Sequence, residues 1–84
     1  MSIDLLGSEP LYRQIAAVIT TRIEAGTYEP RRAIPSEAAL YEEFGVSRST
    51  VRGTIRLLNE QGLLVTVMGR GTFVVKRDDA PTAD

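Results

Sequence analysis

From Leu11 onward the apolar residues Leu11, Ile15, Val18, Ile19 and Ile23 recur three or four positions apart, with Arg13, Gln14, Thr21, Arg22 and Glu24 between them. That spacing lays one apolar stripe along a helix. Pro10 suits the first position of this helix, where a missing N–H costs nothing, and Gly26 is a natural stop. Residues 1–9 read as an N-terminal arm. Thr27 to Pro35 reads as a loop with one short strand near Tyr28, because Pro30 and Pro35 limit regular structure. Ser36 is placed as an N-cap with Glu37 in the first turn. Ala39, Leu40, Glu43 and Phe44 follow, and this short second helix ends at Gly45, which suits a left-handed turn. Ser47 caps a third helix. Val46 and Val51 flank that cap at the spacing of a hydrophobic staple. Val51, Thr54, Ile55 and Leu58 form its inward stripe, and Gly62 closes it.

After Gly62 the pattern changes from helical to alternating. Leu63 to Val67 and Thr72 to Val75 are rich in β-branched residues, with Met68-Gly69-Arg70-Gly71 between them. This predicts a β-hairpin with a glycine-bearing loop. The expected architecture is α+β: three helices followed by a two-stranded hairpin wing, a winged helix-turn-helix. The ordered domain is expected over residues 10–77, and residues 78–84 are read as a disordered acidic tail.

Composition narrows the function classes. The chain has 84 residues, 43% hydrophobic and 25% charged, which fits one globular domain. Without cysteine or histidine it lacks thiolate sites, disulfides and the commonest general base and metal ligand. No catalytic set can be assembled, so no enzyme, metal or cofactor is expected. No apolar run approaches a membrane span, and residues 1–9 do not resemble a signal peptide. A cytoplasmic location without membrane contact is expected.

The net charge of −1 argues against nucleic acid only if charge is averaged over the chain. Residues 31–77 carry Arg31, Arg32, Arg48, Arg52, Arg56, Arg70, Lys76 and Arg77 against Glu37, Glu42, Glu43 and Glu60. A basic face can bind phosphate on a chain that is near neutral as a whole.

The chemistry-bearing signal lies around Phe44-Gly45-Val46-Ser47. Two helices joined by a short glycine turn form a helix-turn-helix, whose second helix enters the major groove. On the recognition helix, 47–61, Arg48, Arg52 and Arg56 stand four residues apart and share an arc of about 80°. A guanidinium fork can hold guanine O6 and N7 together. Ser47, Ser49 and Thr50 are short donors for phosphate, beside the free amides of the helix end. Gly69-Arg70-Gly71, in the wing loop 68–71, puts one arginine between two residues without side-chain bulk, a form suited to a narrow minor groove. Ser36, at the start of the second helix, adds a further phosphate candidate. The aromatic residues Tyr12, Tyr28, Tyr41, Phe44 and Phe73 read as packing, not as a stacking platform.

Four segments in order resemble the gntR family of bacterial regulators: Pro10-Leu11-Tyr12-Arg13-Gln14-Ile15, Ile34-Pro35-Ser36-Glu37, Val46-Ser47-Arg48-Ser49-Thr50-Val51-Arg52 and Gly69-Arg70-Gly71-Thr72-Phe73-Val74. The first block and the Gly-Arg-Gly-Thr-Phe loop are most similar to the HutC-type branch. The resemblance implies a repressor that binds double-stranded operator DNA as a homodimer on a palindromic site. It implies major-groove contacts from Arg48, Ser49, Thr50 and Arg52, and minor-groove contacts from Gly69 and Arg70. Two positions depart from the family pattern. Ala38 stands where an arginine often follows the Ser-Glu pair, which removes one contact. Arg31 stands where a glycine usually follows the loop proline, and either changes the turn or supplies a replacement cation. Family members also carry a C-terminal domain that binds a small effector. This chain ends soon after the hairpin, so no effector domain is expected in it. A winged-helix adaptor that binds protein without reading DNA remains the alternative.

Overall fold

The computed structural model describes residues 9–75. The arm up to residue 8, Lys76, Arg77 and the tail 78–84 lie outside the described residues. The element order is α1 (Leu11–Glu24), α2 (Glu37–Phe44), α3 (Arg48–Glu60), β1 (Leu64–Val67) and β2 (Gly71–Val74). Three helices thus precede one antiparallel hairpin, with Leu64 opposite Val74 and Val67 opposite Gly71. Pro10 is the cap of α1 rather than its first residue, a one-residue difference within the fraying of any helix end.

The helices form where apolar residues can meet. Ile15 and Ile19 of α1, Leu40 of α2, Val51, Ile55 and Leu58 of α3, and Leu64 and Val74 of the hairpin share one buried cluster. Helix α3 packs against α1, α2 and β1. Its crossing with α1 is close at Gly53, where an added Cβ would lie 3.5 Å from the Tyr12 Cβ. One polar tie fixes that crossing. The buried Thr54 hydroxyl lies 2.9 Å from the Tyr12 carbonyl and 3.0 Å from that of Thr50. A buried hydroxyl without such acceptors would be costly.

A second tie joins α1 to α2. The Arg22 guanidinium chelates the Glu43 carboxylate with both terminal nitrogens and donates to the Tyr28 hydroxyl at 2.6 Å. It also lies over the Phe44 ring, 5.3 Å from the centroid. The hydrogen bond from Arg22 holds the Glu43 carboxyl below its ordinary range. The bonds to Glu43 and Tyr28 push the Arg22 pKa up.

The loop before α2 differs from expectation. Its extended piece lies at Ala33, which bridges Phe73 of β2, and not near Tyr28. Tyr28 instead sits in the turn after α1, engaged with Arg22. Arg31 then adopts φ +65, the left-handed geometry that glycine favours. The turn is therefore kept, and the arginine bears its strain. This reversal lets the loop lie along β2. The Arg31 amide donates to the Val74 carbonyl, that of Val74 to Arg32, and that of Ile34 to Thr72. Among the described residues no helix is long and apolar enough to cross a membrane.

Candidate nucleic-acid interface

Local chemistry starts α3 where the sequence indicates. Ser47 is its N-cap, with Oγ accepting the Thr50 amide at 3.2 Å. Gly45 ends α2 at φ +67 and makes the tight reversal between the two helices possible. The amides of Arg48 and Ser49 precede the first intrahelical bond and point out of the helix end. Ser47 Oγ also lies 3.1 Å from Ser49 Oγ and 3.0 Å from Thr50 Oγ1. Two contacts among three hydroxyls use two protons. One proton is left for an outside acceptor, in a position suited to a phosphate oxygen.

The inward stripe of α3 is as expected: Val51, Thr54, Ile55 and Leu58 are buried. Arg48, Ser49, Arg52 and Arg56 are exposed on the other side, while Thr50 is half-buried at the boundary. Two partners that sequence reasoning missed steady the arginines. The Arg48 guanidinium lies over the Tyr41 ring, 5.6 Å from its centroid. Tyr41, expected only to pack, serves as a platform from α2. Arg52 Nε is 3.6 Å from the Glu37 carboxylate, with side-chain exposures of 68% and 48%. A pair this open is worth little, so Arg52 can exchange Glu37 for another acceptor at small cost.

Ser36 caps α2 through its Oγ, which accepts the Ala39 amide at 3.1 Å. The wing tip is a three-residue turn, Met68-Gly69-Arg70, closed by the Arg70 amide on the Val67 carbonyl at 2.9 Å. Gly69 has φ +76 and Gly71 φ +126, with open space around both. Glycine is required there by backbone conformation and not by crowding. Arg70 is exposed between them.

The predicted positions fall into two groups, which Arg52 connects. Ser47, Arg48, Ser49 and Thr50 cluster at the α3 N-terminus. Ser36, Gly69, Arg70 and Gly71 line one open groove between the start of α2 and the wing, with Ile55 of α3 and Glu37 in the same lining. Arg52 reaches from α3 to Glu37 at that groove. The α2 N-terminus, the outer face of α3 and the wing thus border one another. Among the described residues no group of three His, Cys, Asp or Glu could hold a metal ion.

The chain is similar to known proteins over this same region. Over 69 residues it is 51% identical to the mannosyl-D-glycerate transport/metabolism system repressor MngR of Escherichia coli (strain K12), covering 82% of this chain and 29% of that protein. It is 42% identical over 67 residues to the histidine utilization repressor of Klebsiella aerogenes, covering 80% of this chain and 28% of that one. The latter likeness agrees with the HutC-type branch expected from the sequence. The chain therefore spans under a third of the length of these relatives. Among solved structures, AraR(DBD) in complex with operator ORR3 superposes with a TM-score of 0.74 at 44% identity, over 86% of this chain and 90% of that chain. The pattern of the bacterial regulatory proteins of the gntR family matches residues 11–74. The chain belongs to that gntR family of bacterial regulators.

Proposed function

We propose that this domain binds double-stranded DNA sequence-specifically and represses transcription by occupying an operator. Helix α3 enters the major groove, where Arg48 and Arg52 read base edges. Ser47, Ser49, Thr50 and the free amides beside them meet phosphate, as does Ser36 at the α2 N-terminus. Gly69, Arg70 and Gly71 bring the wing against the adjacent minor groove. Arg70 is drawn there by the negative potential of a narrow, A·T-rich groove.

The observation that carries this reading is the division of α3. One side is locked into the core by Val51, Thr54, Ile55 and Leu58, while Arg48, Arg52 and Arg56 face outward. A rigid helix with solvent-exposed guanidinium groups meets the geometric demand of base readout. The similarity to AraR(DBD), whose structure is a complex with an operator, and to the repressor MngR supports it. A homodimer on a palindromic site extends the reading to the whole assembly, with half-sites one or more helical turns apart.

Selection of bound duplexes from a random pool, followed by titration at several salt concentrations, tests the proposal. The expected outcome is a preferred site and a binding constant that falls with salt at a slope of about −0.9 per phosphate contacted. A symmetric pair of half-sites in the selected duplexes is expected if two copies bind together. Absence of duplex binding at low salt would favour a protein-binding adaptor, a role that the near-neutral net charge of −1 also suits.

A further inference from the structure

Asn59 lies in the last turn of α3, where a short amide side chain is a poor helix former because it competes for backbone groups. Its side chain is nevertheless fully engaged. Nδ2 donates to the Ile55 carbonyl at 2.9 Å and lies 3.1 Å from Thr66 Oγ1. Oδ1 accepts the backbone amide of Thr66 at 3.1 Å. The Thr66 hydroxyl stands 3.2 Å from that of Thr72 across the hairpin. One side chain of α3 therefore holds the middle of β1 and, through the threonine pair, reaches β2.

The position matters because the wing has little else to hold its outer half. Two strands of four residues are marginal by themselves. The buried anchors, Leu64 and Val74, lie at the base. Val65 and Val67 are exposed, and Met68 at the tip is 96% exposed. On the β2 side the Ile34 amide secures the Thr72 carbonyl at 2.9 Å. On the β1 side Asn59 does the corresponding work, and it does so from the helix that carries Arg48 and Arg52. An alanine at this position would favour the helix but leave the Thr66 amide without its acceptor.

We propose that Asn59 is a positioning residue for DNA readout. It sets the wing relative to α3, so that Arg70 arrives at the minor groove while Arg48 and Arg52 occupy the major groove. This rests on the function proposed above. Asn59 acts through the wing and adds no base contact of its own. Without it the tip samples more orientations, and the lost order must be restored on binding.

The test combines the full chain, Asn59→Ala, Arg70→Ala and the double variant, each titrated with a duplex selected by the wild type. Asn59→Ala is expected to weaken binding about three- to tenfold, the scale of one or two lost hydrogen bonds. In the Arg70→Ala background the same change is expected to have no further effect, because the wing no longer contributes. Amide exchange in the free protein supplies the independent readout. Thr66 is expected to exchange faster in Asn59→Ala, while the amides of Val51 to Leu58 keep their protection. Equal losses in both backgrounds would overturn the proposal, as would a Thr66 amide whose exchange is unchanged. If Arg70→Ala binds as wild type, the minor-groove role of the wing fails. If Thr66 is nevertheless loosened in that case, Asn59 is shown to order the hairpin without serving readout, which also overturns the proposal.

Discussion

Helix α3 and the wing border the same groove, yet they are held in place by different means. Helix α3 is packed against α1, α2 and β1, and its inward side chains are almost wholly buried. The wing is buried only at its base and depends further out on a few hydrogen bonds: from the Ile34 amide, to the Asn59 side-chain oxygen and within its own turn. The helix is thus specified by volume and hydrophobicity, whereas the wing is specified by backbone conformation and polar geometry. Substitutions that disturb α3 from inside are expected to unfold the domain. Substitutions at the wing are expected to change binding with little change in stability.

The strongest test of this contrast lies in the core. Leu58 is fully buried in the shared core cluster, so Leu58→Ala is expected to cost about 2–5 kcal/mol in urea or thermal denaturation. In a domain of this size that loss takes a large share of the folding free energy. On the outer side of the same helix, Arg52→Ala is expected to leave stability within about 0.5 kcal/mol. It is expected to weaken the preferred duplex by about 1–3 kcal/mol, if the arginine makes a bidentate base contact. At the wing, Arg70→Ala is expected to weaken binding by about 1 kcal/mol, chiefly on duplexes whose flanking minor groove is A·T-rich. Titrating matched duplexes with A·T and G·C flanks checks it. An equal loss on both would reduce Arg70 to a general phosphate contact.

The α1–α2 tie gives a smaller, pH-dependent effect. Arg22 holds the Glu43 carboxyl below its ordinary range, so the folded state binds that proton less readily than the unfolded chain. The stabilisation is then present above the ordinary carboxylate pKa and is lost as pH falls through the lowered folded value. The pair is part-exposed, at 28% and 43%, so its worth is expected to be up to about 1 kcal/mol. Melting of wild type and Glu43→Gln between neutral and strongly acid pH checks this. The gap between them is expected to close toward the acid end.

The features legible in the sequence were those written locally. Ser36 and Ser47 as caps, Gly45 as the reversal and the stripe from Val51 to Leu58 each follow from residues within a few positions of one another. The structure places them as expected. The features that were hidden depend on partners distant in sequence. Glu43 meets Arg22 only because α1 and α2 pack, and no local pattern announces that pair. Tyr41 becomes a platform for Arg48 through the fold of the glycine turn. The extended piece of the loop lies at Ala33 and not near Tyr28 because β2 lies beside the loop there, a pairing that no local pattern announces. Arg31 carries no sign of its left-handed position in its immediate neighbours; only the resemblance, which has glycine there, pointed to a special turn. Asn59 did carry one, as an amide residue in a helix where alanine would serve better, but its meaning appears only once Thr66 is seen facing it.

Guanidinium groups on the outer face of α3 are expected to discriminate between base pairs. The most direct measurement is the ratio of affinities for the selected duplex and for a random duplex, compared between wild type and Arg48→Ala at one fixed salt concentration. A large ratio is expected for the wild type, which Arg48→Ala lowers by about tenfold or more while its random-duplex affinity changes much less. A wild-type ratio near one, or an Arg48→Ala variant that weakens both duplexes equally, would contradict it.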